Sequence, residues 1–187
     1  MLYFWKEFEL FMKKIITLLL LTLLLSNCER DDICAETTPT TPSLIIRFYD
    51  ILNQESNKNV FGLRIQGIGN SDVLEDYNVV TTDSIVLPLK TDESATQVML
   101  HQEYALDNNG TPDDTSDDII SGNEDIITVA YATEEVYVSR ACGYKTVFRN
   151  VTVNVEDDGD NWIQIIQSVN DNQSVEDEAA AHFKIFH

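Results

Sequence analysis

Between Leu44 and His187 no twelve consecutive residues repeat with the period of a helix; apolar residues step in twos between clusters of turn-forming residues. A half-buried strand requires that alternation, because successive side chains point to opposite faces of a sheet. LIIRFY (44–49) is β-branched and aromatic, and VFGLRIQ (60–66) alternates after the turn-forming NQESNKN. In SIVLPLK (84–90), Pro88 lacks the amide that a central strand must donate, which points to an edge strand or a bulge. TQVMLHQEYAL (96–106) sets Val98, Leu100, Tyr104 and Leu106 on one face, with Gln102 breaking the pattern.

Further along, DIITVAYATEEVYVSR (125–140) keeps Ile127, Val129 and Tyr131 in step, followed by Val136 and Val138. YKTVFRNVTVNV (144–155) aligns Tyr144, Thr146 and Phe148 before Val151, Val153 and Val155. The Asp-Gly pair in EDDGDN reads as a hairpin loop ahead of WIQIIQSV (162–169). HFKIFH (182–187) reads as a final strand, and SVEDEAAAHF (174–183) as a short turn of helix. Seven to nine short strands at this spacing predict an all-β fold, an antiparallel β-sandwich with immunoglobulin-like layering over residues 44–187. A small β-barrel is the alternative.

The N-terminus reads differently. IITLLLLTLLL (15–25) follows Lys13 and Lys14 as the short apolar region of a secretory signal follows its basic start, and it is shorter than the roughly 20 residues a bilayer span needs. A start at Met12 fits such a signal better than one at Met1, because MLYFWKEFELF mixes aromatic and charged residues. Leu25, Ser26, Asn27 and Cys28 resemble the lipobox of bacterial lipoproteins, in which the cysteine is acylated and the chain is cut before it. Asn27 departs from the small residue usual there. The expected organisation is a signal peptide over 1–27, a lipidated linker over 28–43 and the sandwich over 44–187. An acylated Cys28 would anchor the protein, since each buried methylene contributes about 0.8 kcal/mol and stable anchoring takes more than one chain.

With Cys28 given to lipid, Cys34 and Cys142 form an even pair, which an oxidising compartment would join as a disulfide. Two free thiols are the alternative. The six residues from Cys28 to Cys34 reach at most about 20 Å, so a bridge at Cys34 would hold the domain near the bilayer.

The chain carries a net charge of −20, and removing residues 1–27, net +1 from Lys6, Lys13, Lys14, Glu7 and Glu9, leaves about −21. Such a charge repels nucleic acid and anionic lipid, so no nucleic-acid partner is expected. It suits cations, basic partners or solubility alone. In LDNNGTPDDTSDD (106–118), Asp107, Asn109, Asp113 and Asp117 crowd oxygen ligands around Gly110, the arrangement a hard cation such as calcium takes. Their spacing resembles the aspartate loops of thrombospondin type 3 repeats and fails the EF-hand pattern, and the competing reading is a solvated acidic hairpin tip.

For catalysis the chain offers little. It contains no G-x-S-x-G elbow, no H-E-x-x-H, and neither a P-loop nor a dinucleotide glycine pattern. His101 and Glu103 match the H-x-E of zinc deaminases without its P-C-x-x-C partner, and as strand neighbours on one face they read as a surface pair. His182 and His187, flanking the last strand, read as exposed. Tyr49, Tyr104, Tyr131, Tyr137, Tyr144 and Trp162 offer a sugar-stacking platform or, more simply, strand packing.

Three blocks, CERDDIC, TTPSLIIRFYD and DDIISGNEDIITVAYATEEVYVSRACGYKTVF, together resemble a family of Bacteroidota lipoproteins carried as a domain of unknown function. That resemblance implies a lipidated envelope protein with no assigned activity. Acidic residues after a lipidated cysteine resemble a surface-export signal in that phylum, and Glu29, Asp31 and Asp32 fit it apart from the intervening Arg30. The expectation is therefore a non-enzymatic outer-membrane lipoprotein, facing the periplasm or the cell surface, that binds or supports an envelope protein or glycan. A calcium-dependent adhesion or glycan-binding module is the alternative.

Overall fold

A computed structural model of the chain describes residues 11–17, 19–20, 33–38 and 40–187. Two units separate by their contacts: residues 1–38 with 139–143, and residues 39–138 with 144–187. In the first, residues 11–17 and 19–20 are helical, and Cys34 is joined to Cys142. Among the described residues no helix is long and apolar enough to cross a membrane.

The second unit is a sandwich of two sheets. Its strands are β1 (Leu44–Tyr49), β2 (Val60–Gly67), β3 (Val73–Thr82), β4 (Ser84–Leu87), β5 (Ala95–Asp107), β6 (Ile119–Ser139), β7 (Gly143–Val155), β8 (Ile165–Ser168) and β9 (Phe183–Phe186). One sheet has the order β4-β1-β9-β8 and the other β3-β2-β5-β6-β7. The layered sandwich predicted from the alternation is thus what forms, and its pairings are antiparallel except between β1 and β9. That parallel pair sets Ile46 beside Phe183 and Phe48 beside Ile185, so β9 lies inside its sheet.

Most of the core falls at positions the alternation selects, whereas Leu106 and Tyr144, placed in step with core residues, are exposed. Leu44, Ile46, Phe48 and Ile185 from one sheet meet Leu63, Ile65, Leu100, Ile127, Val129 and Val151 from the other, all fully buried. Apolar burial of this kind contributes about 25 cal/mol per Å² removed from water. Trp162 closes one part of the core, tilted against Phe48 with ring centres 6.1 Å apart, and its indole N–H donates to the Leu100 carbonyl at 3.2 Å.

Two breaks in the alternation correspond to backbone irregularities. The Gln102 exception in β5 falls at a register shift between Gln102 and Ala105, where Glu103 is left-handed with φ 53°. The change of phase between Phe148 and Val151 falls at left-handed Asn150, φ 52°. The β5 bulge is held by close approach of its neighbours. A Cβ on Gly122, whose φ is 113°, would lie 2.4 Å from the Gln102 carbonyl oxygen, and one on Gly62 would lie 3.1 Å from Glu103 Cα.

Exposed strand edges invite aggregation, and both lateral sides of the sandwich are guarded. β4 is an edge strand that ends before Pro88, as that proline predicts, and its outward Val86 N–H donates to the Tyr77 hydroxyl of β3 at 2.8 Å. The outer edge of β7 is covered by the segment after β8: Phe148 and Val175 exchange backbone hydrogen bonds, and Val151 N–H donates to the Gln173 carbonyl at 2.7 Å. That segment includes SVEDEAAAHF, which forms no helical turn and is extended where it pairs with β7. Pairing with a strand edge overrides the modest helical preference of its Ala and Glu residues.

Candidate functional site

Cys34 and Cys142 form the disulfide expected from their parity, with S–S 2.01 Å and Cα atoms 4.8 Å apart. Cys142 sits in the short turn between β6 and β7, where its N–H donates to the Ser139 hydroxyl at 3.0 Å. Cys28 and the cleavage site expected before it lie outside the described residues.

The acidic loop lies at the tip of the β5–β6 hairpin. Asp114 caps a short 3-10 turn, Thr115–Asp117, by accepting from Ser116 N–H, and the Ser116 hydroxyl, donating at 2.6 Å, together with that N–H holds its carboxyl below the usual range. Asp107 accepts from Asn109 N–H at 2.9 Å, and Asn109 donates through its amide to Asp117 at 3.3 Å. Thr111 donates its hydroxyl to Asp117 at 2.8 Å. Asp107, Asn109 and Asp117 are therefore linked by hydrogen bonds, while Asp113 is exposed and takes no part in these contacts. Among the described residues no three His, Cys, Asp or Glu side chains are grouped to hold a metal ion.

Buried polar groups are where the sequence reading goes astray. His101 does not form a surface pair with Glu103; it is 5% exposed, edge-on to Tyr104 at 5.0 Å, because the bulge turns Glu103 out of register. Burial lowers its pKa, partly opposed by Glu124 at 3.8 Å. The guanidinium of Arg64 lies over the Tyr104 ring at 4.8 Å. His182 and His187 are likewise buried instead of exposed, since β9 runs between two strands. Burial lowers the pKa of both. His182 accepts from Ile45 N–H at Nδ1, and its Nε2 bonds the Asp177 carbonyl, both at 3.0 Å, so the neutral ring pins the 177–182 segment to β1.

Asp125 is fully buried, accepting from Ile163 N–H at 2.8 Å and Trp162 N–H at 3.4 Å, and burial raises its pKa. It fixes the segment that delivers Trp162 to the core. The one available signal was its place among alternating apolar residues, in step with Ile127 and Val129.

A crevice of about 370 Å³ opens between the β2–β3 turn and the end of β4, floored by Ile65, Leu87 and Val98. Thr96 on its wall is committed to the Tyr131 hydroxyl at 2.6 Å, and Lys90 at its rim pairs with Glu93 at 2.8 Å. Those mutual contacts leave an apolar floor as its main chemical offer. Of the aromatic residues considered for sugar stacking, Tyr131 and Trp162 belong to the core, while Tyr137 and Tyr144 form an exposed edge-to-face pair at 5.4 Å.

A family model described as a family of unknown function (DUF6452) matches residues 62–187. The match takes in the third of the three familiar blocks and begins after the first two. No curated protein and no solved structure matches the chain.

Proposed function

The chain belongs to this family of unknown function, and on that premise we propose that it is an exported, lipid-anchored module of the cell envelope that acts by binding and not by catalysis. The observation that carries the reading is the Cys34–Cys142 disulfide. Disulfides persist in oxidising compartments, and this one lies six residues beyond the cysteine that ends the Leu-rich N-terminal block. An acyl group on Cys28 would supply the anchor, and the bridge at Cys34 would limit the free tether to about 20 Å. We assign the protein to the outer membrane, on its periplasmic or surface side.

Binding in preference to catalysis is supported by how two of the buried titratable groups are used, whereas the Nε2 atoms of His101 and His187 are buried without a hydrogen-bond partner among the described residues. Asp125 and His182 are occupied with backbone groups, tying distant segments into the core. Mass spectrometry of the native membrane fraction, before and after reduction, tests the anchor and the bridge together. The expected result is an acylated N-terminal Cys28 and a reducible Cys34–Cys142 link. An unmodified Cys28, or two free thiols in the exported protein, overturns the proposal.

A second reading, a calcium-dependent adhesion or glycan-binding module, rests on the crowding of Asp107, Asn109, Asp113 and Asp117 around Gly110 in the sequence and not on the hydrogen bonds that Asp107 and Asp117 accept. A ligand bound only by the folded state raises the melting temperature. A rise in millimolar calcium that chelator reverses supports it, and an unchanged value rejects it.

A further inference from the structure

The binding reading acquires a location from the way the β5–β6 hairpin outruns its sheet. β2 pairs with β5 in regular register only from Arg64↔His101 to Gly67↔Val98. On the other side β7 has ended at Val155, and Glu156 N–H donates to the Ile126 carbonyl. The rungs Ala105↔Ser121, Leu106↔Ile120 and Asp107↔Ile119 thus form a two-stranded arm with no third strand among the described residues.

Apolar residues on such an arm gain nothing from the core. Leu106, Ile119 and Ile120 are 51%, 61% and 58% exposed, and Phe61, beside the Gly62 contact with the arm's base, is 59% exposed. Leu106 and Ile120 form one rung and share a face, while Ile119, paired with Asp107, points to the other, so both faces of the arm carry exposed aliphatic side chains. The charge around them has one sign. Residues 91–139 contain twelve Asp and Glu and no Lys or Arg, and Glu103, Asp107, Asp113 and Asp114 are exposed on the arm and its tip.

We propose that this arm is the docking surface for a basic protein partner that closes over both of its faces, with apolar groups against Leu106 and Ile120 on one and Ile119 on the other, while its Lys and Arg side chains meet the surrounding carboxylates. Charge selects this occupant over the others. A second copy would bring acidic rims together, and anionic lipid headgroups or nucleic acid would be repelled. The inference rests on the binding reading above and names the partner class.

The test uses the full chain in neutral detergent micelles and a labelled amphipathic Leu/Lys peptide, with empty micelles as the blank and a Ser/Lys peptide of equal charge as control. The expected result is saturable binding of the Leu/Lys peptide, weakened by salt, with slowed hydrogen exchange over residues 103–121. L106S/I119S/I120S should weaken binding at least about tenfold, and D113N/D114N should weaken it and flatten the salt dependence. Exposed positions leave the fold intact, and I119S alone serves as a second variant. Equal binding of the Ser/Lys peptide, an unaffected triple variant, or protection elsewhere overturns the proposal. So does a concentration-dependent dimer that L106S/I119S/I120S abolishes, which assigns the arm to a second copy. Acylation of Cys28, read by mass on the same sample, is independent of all these outcomes, so failure of the docking proposal is distinguishable from failure of the anchor.

Discussion

Asp125 offers the sharpest check on how this sandwich is held. Replacing it with Ala strands two backbone donors in the core. Ile163 N–H, now bonded at 2.8 Å, loses a charged acceptor, and that loss costs about 2–3 kcal/mol; the longer 3.4 Å contact from Trp162 adds less than about 1. The desolvation that raises the Asp125 pKa opposes part of this, so the expected net loss is about 2–3 kcal/mol. With a urea slope of about 1–3 kcal/mol per molar, the unfolding midpoint should fall by roughly 1 M or more. Asn keeps one acceptor oxygen, so D125N should lose less at pH 7. Its deficit should also depend on pH. A raised folded-state pKa means the native chain holds the proton more tightly than the unfolded one, so this group's contribution is present at low pH and lost as pH rises through the folded value. Asn cannot titrate, and the gap between wild type and D125N should widen as pH falls from 7 toward 3.8, the ordinary carboxylate value. A cost below about 1 kcal/mol for D125A, or a gap that narrows on acidification, refutes this account of the residue.

Three further outcomes follow from the same structure. All three histidines are buried with lowered pKa values, so their contribution to stability is complete above about pH 6.5 and is lost as pH falls toward the folded-state values. Urea midpoints at pH 7.5 and 5.5 should fall with acid, at no more than about 1.4 kcal/mol per pH unit for each imidazole, and equal midpoints contradict the burial. Removing the disulfide as C34S/C142S, which opens a loop spanning a sequence separation of 108, should cost up to about 4–5 kcal/mol by chain entropy, read as a lower melting temperature that reductant does not lower further. Gly122→Ala places a Cβ against the Gln102 carbonyl at a φ of 113°, and about 3 kcal/mol or more should be lost, seen in soluble yield and melting temperature; a wild-type melting curve rules out that close approach.

Where one face of a strand is buried, its alternation was readable, and Ile127, Val129, Tyr131, Val151 and Val153 all sit where their spacing puts them. The break at Gln102 was readable as an anomaly but not as a bulge, because the glycines that permit it, Gly62 and Gly122, lie on other strands. β3 escaped notice altogether. Its Glu75, Asp76 and Asn78 interrupt any apolar pattern, and Asp76 and Val79 are left-handed at φ 69° and 61°, so the strand is irregular as well as peripheral. The histidines were misplaced for a related reason. Whether a strand lies inside or at the edge of its sheet depends on pairings across more than a hundred residues, such as Ile45 with His182, which no local window contains. The acidic loop was visible as composition, whereas the exposed aliphatic arm that carries it needed the lengths of β2 and β7 for comparison.

The place of β9 also sets a timetable. It lies between β1 and β8, so one of the two sheets lacks an interior strand until residues 183–186 are available, and the Ile45–His182 tie spans 137 positions of sequence. Contacts of that range are slow to close, and a chain emerging from its N-terminal end cannot complete the sandwich on the way out. On the proposed export route such a polypeptide would stay threadable through a narrow translocation pore for nearly its whole length and consolidate beyond it, where an oxidant could then seal Cys34 to Cys142.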